Sequence, residues 1–366
     1  MGTFWSPLWR RYSGNVLIHQ VWLLALGAII ATPVEGQALS QSLPLTAEVT
    51  ARAETVPVGT ADDDAADDPA IWRNAARPEA SLIVATDKKA GLYVYSLDGR
   101  VKSFVAAGRV NNVALVTMGR SGVIVAASDR NDVTQALVQL YRLDTETGSL
   151  ARLGAVAGGM GEAYGLCLWR EGAFLHAYSI LKHGEVNHLQ IALKTTPTAK
   201  AVRTLKLATQ TEGCVVDPRS RTLYVGEEAR GVWAFDARAN GVIDGRLIAA
   251  VDNAQLVADV EGLAIMPSGA KGGWFIVSSQ GDNSFALYRL PDHRPLGRFR
   301  VTAGSLGSVE ETDGIDVHPG SFGRAFPNGL FVAQDGVNAP AAQNFKLISW
   351  RDILHVLKAT KNKASQ

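Results

Sequence analysis

The sequence predicts an all-β protein, a six-bladed β-propeller whose four-stranded blades surround a central channel. Three observations favour this fold: a strand start that recurs along the chain, four strand-like segments between successive starts, and 36 glycines spread over 366 residues that contain few long helix-period stretches. Four-stranded units that repeat about every 40 to 50 residues are typical of a propeller, because radial repetition protects the sheet edges.

The recurring start is a polar residue, in most cases followed by Gly, and then an apolar strand. The six starts are Asp68-Pro69, Asn112-Val113, Tyr164-Gly165, Glu212-Gly213, Glu261-Gly262 and Asp313-Gly314. Successive starts lie 44 to 52 residues apart, so the sequence predicts six blades. The leading stretch, residues 45–58, is expected to complete the last blade and close the ring.

The strands of the fourth and fifth units are the clearest. Gly, Asn and Asp separate the apolar segments, as expected for turns between antiparallel strands. The predicted strands of these two units are residues 213–217, 222–228, 231–237, 247–251, 262–266, 274–279, 284–290 and 297–301.

The first 38 residues have the pattern of a signal peptide. Arg10 and Arg11 precede an apolar run at residues 21–31, and small residues follow at 36–38. Cleavage there would leave one mature domain, residues 39–366, exported to the periplasm or the medium and not held in a membrane. The chain has 36 basic and 35 acidic residues, which gives no basic field for nucleic acid, and nothing in it demands more than a monomer.

Two cysteines, Cys167 and Cys214, allow two interpretations. An oxidising compartment would permit a disulfide between them, whereas the alternative is a pair of small buried hydrophobic residues. Sequence alone does not supply the Cα separation that decides between the two.

Carboxylate and amide side chains gather where the predicted inner strands begin. The first strand of each blade lies nearest the channel, so Asp67 and Asp68 and the later starts are expected to converge on one end of it. Other oxygen-bearing residues accompany them: Glu227, Glu228, Asp259, Gln280, Gln334, Asp335 and Asn338. Such a set suits calcium, which accepts six to eight oxygen ligands, while the alternative for each residue is ordinary turn chemistry.

Basic residues follow several of the strands that would end near the same mouth. They are Lys88, Lys89, Arg130 and Lys182. Cations beside a metal cluster indicate an anionic ligand, and phosphate is the natural candidate because Arg and Lys both bind it. The alternative is charge on solvated loops.

Eleven short blocks together resemble the β-propeller phytases, from about residue 45 to residue 355. The blocks are DDPAIW (67–72), TDKKAGLYVYSLDG (86–99), RVNNV (109–113), YGLCL (164–168), TQTEGCVVD (209–217), LYVGEE (223–228), DVEGL (259–263), SSQGDNS (278–284), TDGIDV (312–317), FVAQDG (331–336) and QNFKLISW (343–350). The resemblance implies a secreted, calcium-dependent phosphatase that releases phosphate from phytate, myo-inositol hexakisphosphate, as its calcium complex.

The resemblance also implies roles for individual residues. The implied metal ligands are Asp67, Asp68, Tyr164, Glu212, Glu228, Asp259, Glu261, Gln280, Asp313 and Asn338, the last near a peripheral calcium together with Asn344. The implied catalytic group is Lys88, Arg130, Tyr164, Lys182, Glu212 and Glu228, in which the three cations hold phosphate and a carboxylate activates water.

The chain departs from the family pattern at two places. Ala114 stands where the family's second motif has Asp, and residues 307–310 read Gly-Ser-Val-Glu where the family has an Asp-Gly-Thr-Ser run. Two expected acids are therefore missing, which bears on the number of calcium ions. Two other functions remain open at this point: a non-catalytic, calcium-stabilised propeller that binds a partner or glycan, and a calcium propeller lactonase.

Overall fold

A computed structural model describes residues 45–61 and 64–364. The predicted signal peptide and its cleavage site lie outside these residues. Within them, 24 of the strands described below form six sheets in the order of a propeller, with one further short strand added at an edge. The predicted six-bladed β-propeller is confirmed.

The strands follow one another blade by blade. Two short strands come first, β1 (Thr46–Val49) and β2 (Ala53–Glu54). Blade one is β3 (Ala66–Trp72), β4 (Leu82–Asp87), β5 (Gly91–Ser96) and β6 (Val101–Ala106). Blade two is β7 (Val110–Thr117), β8 (Val123–Asp129), β9 (Gln135–Leu143) and β10 (Leu150–Met160). Blade three is β11 (Ala163–Glu171), β12 (Phe174–Leu181), β13 (Glu185–Ala192) and β14 (Thr198–Lys206).

The remaining blades have the same organisation. Blade four is β15 (Thr211–Asp217), β16 (Thr222–Glu227), β17 (Gly231–Asp236) and β18 (Arg246–Ala250). Blade five is β19 (Val260–Ser268), β20 (Gly272–Ser279), β21 (Ser284–Leu290) and β22 (Pro295–Val301). Blade six is β23 (Ile315–Pro319), β24 (Gly329–Asp335) and β25 (Asn344–Ser349), completed by β2. One-turn 3₁₀ helices occur at Pro78–Ala80, Gly119–Ser121 and Gln280–Asp282.

The ring is closed by the first part of the described chain. The first strands of neighbouring blades pack against one another all the way round, and β23 returns to β3. Strand β2 pairs antiparallel with β25, so residues 45–58 complete the last blade as predicted. The structure adds that β1 pairs in parallel with β22, so the same stretch also extends blade five. One segment therefore joins blades five and six.

Apolar side chains fill the space between neighbouring blades. Between blades five and six, the rings of Phe285, Phe299 and Phe331 lie with their centroids 5.0 to 5.5 Å apart. All three side chains are buried, and burial of one such ring stabilises the fold by about 1.5 to 3 kcal/mol. Packing of this kind between blades fixes the inner strands, and with them the residues at their starts.

A C-terminal helix, α1 (Trp350–Ala364), was not predicted. Its apolar residues recur at helical spacing, and Trp350, Ile353 and Leu357 pack on the core of blades five and six. Asp352 in the first turn forms an ion pair of 2.6 Å with Arg52, beside β2. The helix therefore covers the seam at which the ring closes.

Candidate metal and phosphate site

The inner strands of blades one to five each begin with a bulge that carries a polar side chain. In blades one to five, two residues of the inner strand stand opposite one residue of the next strand, for example Asp67 and Asp68 between the paired residues Ala66 and Pro69. The same break occurs in the first strands of blades two to five. The first residues of these bulges, with the matching residue of blade six, are Asp67, Asn111, Tyr164, Glu212, Glu261 and Asp313.

The glycine of the repeat is required by close contact between blades. A Cβ atom on Gly165 would lie 1.9 Å from the backbone oxygen of Glu212, and one on Gly213 would lie 2.1 Å from the backbone oxygen of Glu261. No side chain fits at such distances, so Gly allows the backbones of neighbouring strand starts to touch. The polar residue before each glycine is thereby brought close to its counterpart in the next blade.

The structure corrects the register of the first two repeats. Asp67 and Asn111, and not Asp68 and Asn112, are the equivalents of Tyr164 in blade three. Asn111 was therefore missed as a site residue. Its Nδ2 donates a hydrogen bond of 2.7 Å to Glu212 Oε1, and its Oδ1 accepts one from Arg130. The sequence has no signal that separates Asn111 from Asn112, because the bulge is visible only in the strand pairing.

Three buried carboxylates form the centre of the site. One carboxylate oxygen each of Glu212, Glu228 and Glu261 lies within 4.8 Å of the others. Glu228 Oε1 and Glu261 Oε2 are buried and have no hydrogen-bond partner among the described residues. Because burying an unpaired carboxylate is costly, these oxygens indicate a place for a cation.

The pKa values of these three carboxyl groups are raised, which indicates that their negative charges lack a compensating cation. Burial, followed by the neighbouring Asp67, raises the pKa of Glu212 well above its ordinary value. Burial, followed by Glu212, does the same to the pKa of Glu261. Burial raises the pKa of Glu228 to about 7, and the carboxylate of Asp259 adds to that shift. A bound divalent cation would reverse these effects by stabilising the ionised carboxylates.

Lys88 lies beside the cluster and is held by acids. Its Nζ is 3.0 Å from Asp67 Oδ2 and 2.8 Å from Asp313 Oδ2, and it also contacts Asp64. Burial opposes its charge, but Asp67 and Asp313 outweigh burial and raise the pKa of Lys88, so the ammonium stays protonated. Gln280 Nε2 donates a hydrogen bond of 2.7 Å to Asp313 Oδ1 and so joins blade five to this group.

Two further cations face the ring of Tyr164. Lys182 Nζ lies 5.0 Å and the Arg130 guanidinium carbon 5.9 Å from the ring centroid. Gln210 Nε2 lies 3.2 Å from the phenol oxygen of Tyr164. Burial and the charge of Glu212 raise the pKa of Tyr164, which keeps the phenol protonated and able to donate a hydrogen bond.

Several predicted ligands have other surroundings. Asp68 Oδ2 accepts a hydrogen bond of 3.1 Å from Val113 N, between blades one and two. Asp259 is exposed. Glu227 accepts hydrogen bonds from the backbone of Thr209 and from the indole of Trp233, so its carboxylate fixes blade four.

Asn338 belongs to a second polar cluster that surrounds the buried ammonium of Lys346. Lys346 Nζ lies 2.6 Å from Glu54 Oε2, 3.1 Å from Asp335 Oδ2, and 2.9 Å from the side-chain oxygens of Asn338 and Asn344. The structure thus does not bring Asn338 to the channel group. A lysine ammonium stands among the oxygens for which the sequence suggested a peripheral metal.

The departures from the family pattern lie away from the three-glutamate cluster. A Cβ atom on Gly307 would lie 3.7 Å from Lys346 Nζ, which places the altered run beside the second cluster. Glu310, the acid at the end of that run, accepts a hydrogen bond from Ser308 Oγ at 2.9 Å. Ala114 lines a cavity farther along the channel, together with Asp316.

The open question about the cysteines is resolved in favour of a disulfide. Cys167 on β11 and Cys214 on β15 are joined, with their Cα atoms 5.8 Å apart. The bond links the inner strands of blades three and four, which carry Tyr164 and Glu212. Both cysteines line the same channel cavity as Ala114.

In the part of the chain that the structure describes, no helix is long and apolar enough to cross a membrane.

Comparison with known proteins agrees with this geometry. A family model described as Phytase matches residues 18–365. The chain is also 38% identical to a 3-phytase of Bacillus subtilis (strain 168), in an alignment that covers 84% of each protein. On this evidence the chain belongs to the phytase family.

Proposed function

We propose that the protein is a calcium-dependent phosphomonoester hydrolase that releases phosphate from phytate at the mouth of the propeller channel. The observation that carries the proposal is the adjacency of three buried carboxylates, two of which have an unpartnered oxygen, to the cationic side chains Lys88, Arg130 and Lys182. Membership of the phytase family and the similarity to a 3-phytase support phytate as the small-molecule substrate.

The donor atoms fit calcium. Glu212, Glu228 and Glu261 would hold a metal ion, and Asp67 and Asp313 stand next to them with their charge shared by Lys88. The site offers oxygen donors, and both cysteines of the chain are in the disulfide, so a hard cation with loose geometry is favoured. When bound, calcium supplies positive charge that offsets the charge of a phosphate group and lowers the pKa of water.

The cations of the chain bind and orient the phosphate. Arg130 offers a planar guanidinium that can contact two phosphate oxygens, while Lys182, which also lies near the ring of Tyr164, acts as a point charge. The protonated phenol of Tyr164 donates to the same group, and Lys88 remains charged beside it. These donors stabilise charge that develops on the phosphoryl oxygens.

Glu228 is the carboxylate best suited to take the proton of an attacking water. Its Oε1 is buried and lacks a hydrogen-bond partner among the described residues, so it is free to accept a proton from water. In this proposal phytate binds as its calcium complex. The predicted signal peptide directs export of the protein, which acts as a monomer.

Phosphate release from phytate tests the proposal. Release near neutral pH should require added calcium and stop in excess EDTA, and Arg130→Ala should abolish it while calcium still raises the melting temperature. A non-catalytic propeller or a lactonase would retain calcium-dependent stability but release no phosphate in the wild type. Undiminished release in EDTA would contradict the role of the metal.

A further inference from the structure

The Lys88 ammonium is surrounded by three carboxylates. Its Nζ donates hydrogen bonds to Asp64 and, at 2.8 Å, to Asp313, and it lies 3.0 Å from Asp67 Oδ2 in an ion pair. The side chain of Lys88 is only 8% exposed, so little water reaches it. A phosphate oxygen can therefore bind Lys88 only by displacing one of these carboxylates.

Of the three acids, Asp64 is the one that can leave. The side chain of Asp67 is 0% exposed, and Asp313 is 16% exposed and held by Gln280. The side chain of Asp64 is 59% exposed, so its carboxylate can return to water at little cost. Its second carboxylate oxygen lies 3.7 Å from Lys89 Nζ, so it bridges two neighbouring cations at the mouth.

We propose that Asp64 is an internal competitor of phosphate: its carboxylate occupies the place on Lys88 that a phosphate oxygen of the substrate or product takes. The proposal rests on the proposed function, in which Lys88 binds phosphate. A carboxylate carries one charge and a bound phosphate up to two, so substrate displaces Asp64, and the returning carboxylate assists release of the product.

Removal of the competing charge should strengthen phosphate binding. An ion pair with one exposed partner contributes little, which corresponds to an inorganic phosphate affinity roughly two- to fivefold tighter in Asp64→Asn. The Michaelis constant for phytate should fall, and inhibition by the product should increase. Calcium affinity should not change, because Asp64 contacts cationic side chains and not the three-glutamate cluster.

The test is titration calorimetry of the full chain, saturated with calcium, against inorganic phosphate, with a separate calcium titration of the chelated chain. Asp98→Asn is the matched control, because Asp98 is similarly exposed, at 52%, and paired with Arg100 in the same blade. Tighter phosphate binding in Asp64→Asn alone, with unchanged calcium binding, supports the proposal. Unchanged or weaker phosphate binding overturns it, as does a loss of calcium affinity, which would make Asp64 a metal ligand.

Lys88→Met separates this proposal from the proposed function. If phosphate binding weakens in Lys88→Met and is unaffected in Asp64→Asn, the role of Lys88 stands and the competitor role fails. If neither substitution changes phosphate binding, the assignment of Lys88 as a phosphate ligand fails as well.

Discussion

Removal of the disulfide should destabilise the propeller by a predictable amount. The perturbation is the double substitution Cys167→Ser and Cys214→Ser, which opens a loop closed over a sequence separation of 47 residues. In the chain-entropy description, closing a loop of that length removes unfolded-state freedom equivalent to about 4 kcal/mol at 25 °C. With an unfolding entropy of about 2.1 cal/mol/K per residue over roughly 320 residues, this corresponds to a melting temperature about 6 °C lower.

The assay is urea and thermal unfolding of the double variant and the wild type, both saturated with calcium. The bond joins inner strands that are also held by backbone contact, such as that of Gly165 with Glu212, so phosphate release at 25 °C should stay near the wild-type rate. Cys167→Ala with Cys214→Ala is the control for the polarity of serine. Equal midpoints for wild type and both double variants, under oxidising conditions, would refute the reasoning.

Three other perturbations test separate parts of the site. In EDTA, the free energy of unfolding of the wild type should fall as pH rises from about 5 to 7. Glu228 and Asp313 have folded-state pKa values of about 7 and 6, above their ordinary values, so the folded protein binds protons that the unfolded chain has already released. Melting in EDTA at several pH values checks this: Glu228→Gln should weaken the trend, and a rise in stability over that range would contradict it. Arg130→Lys keeps the positive charge but loses the planar guanidinium that contacts Asn111. The kcat/KM for phytate should therefore fall about tenfold or more, with an unchanged melting temperature. An unchanged kcat/KM would exclude bidentate binding of phosphate by Arg130. Lys346→Met leaves the buried carboxylate of Asp335 without its cation and should cost about 3 to 5 kcal/mol in urea unfolding, a loss that Asp335→Asn in the same chain should partly restore.

The blades could be predicted because their signals are local. Strand 284–290 was predicted with its observed bounds, and the other strands of blade five were predicted to within three residues at either end. Glycine and turn residues mark the strand ends, and the apolar runs are short. The pairing of β1 with β22 was not predicted, because it joins residues about 250 positions apart and leaves no mark in the four residues of β1.

The helix α1 and the register of the first two repeats depend on packing and strand pairing that the repeat pattern does not encode. Trp350, Ile353 and Leu357 have helical spacing, but this spacing is short and directly follows strand β25, so the strand repeat masks it. The bulge sets two residues opposite one, so Asp67 and Asp68 compete for the same position, and the sequence has no signal that separates them. Asn111 was missed for the same reason.

Residues of the charged site could be predicted where the repeated motif itself contains them. Glu212, Glu261 and Asp313 each precede a glycine, and the structure brings them to one end of the channel. Asn338 could not be placed in this way, because its neighbour in space, Lys346, comes from the following strand. In the structure the ammonium of Lys346 lies among the oxygens of the second polar cluster, and the peripheral calcium that the resemblance implies stays a prediction.

Calcium binding to the chelator-treated chain tests the central claim most directly, with titration calorimetry of the wild type and of Glu261→Gln. If the three-glutamate cluster holds the ion, the wild type binds calcium in this titration and Glu261→Gln loses at least one binding event or binds it much more weakly, because one of three close ligand oxygens has lost its charge. Identical isotherms for the two proteins would contradict the claim that these carboxylates form a metal site.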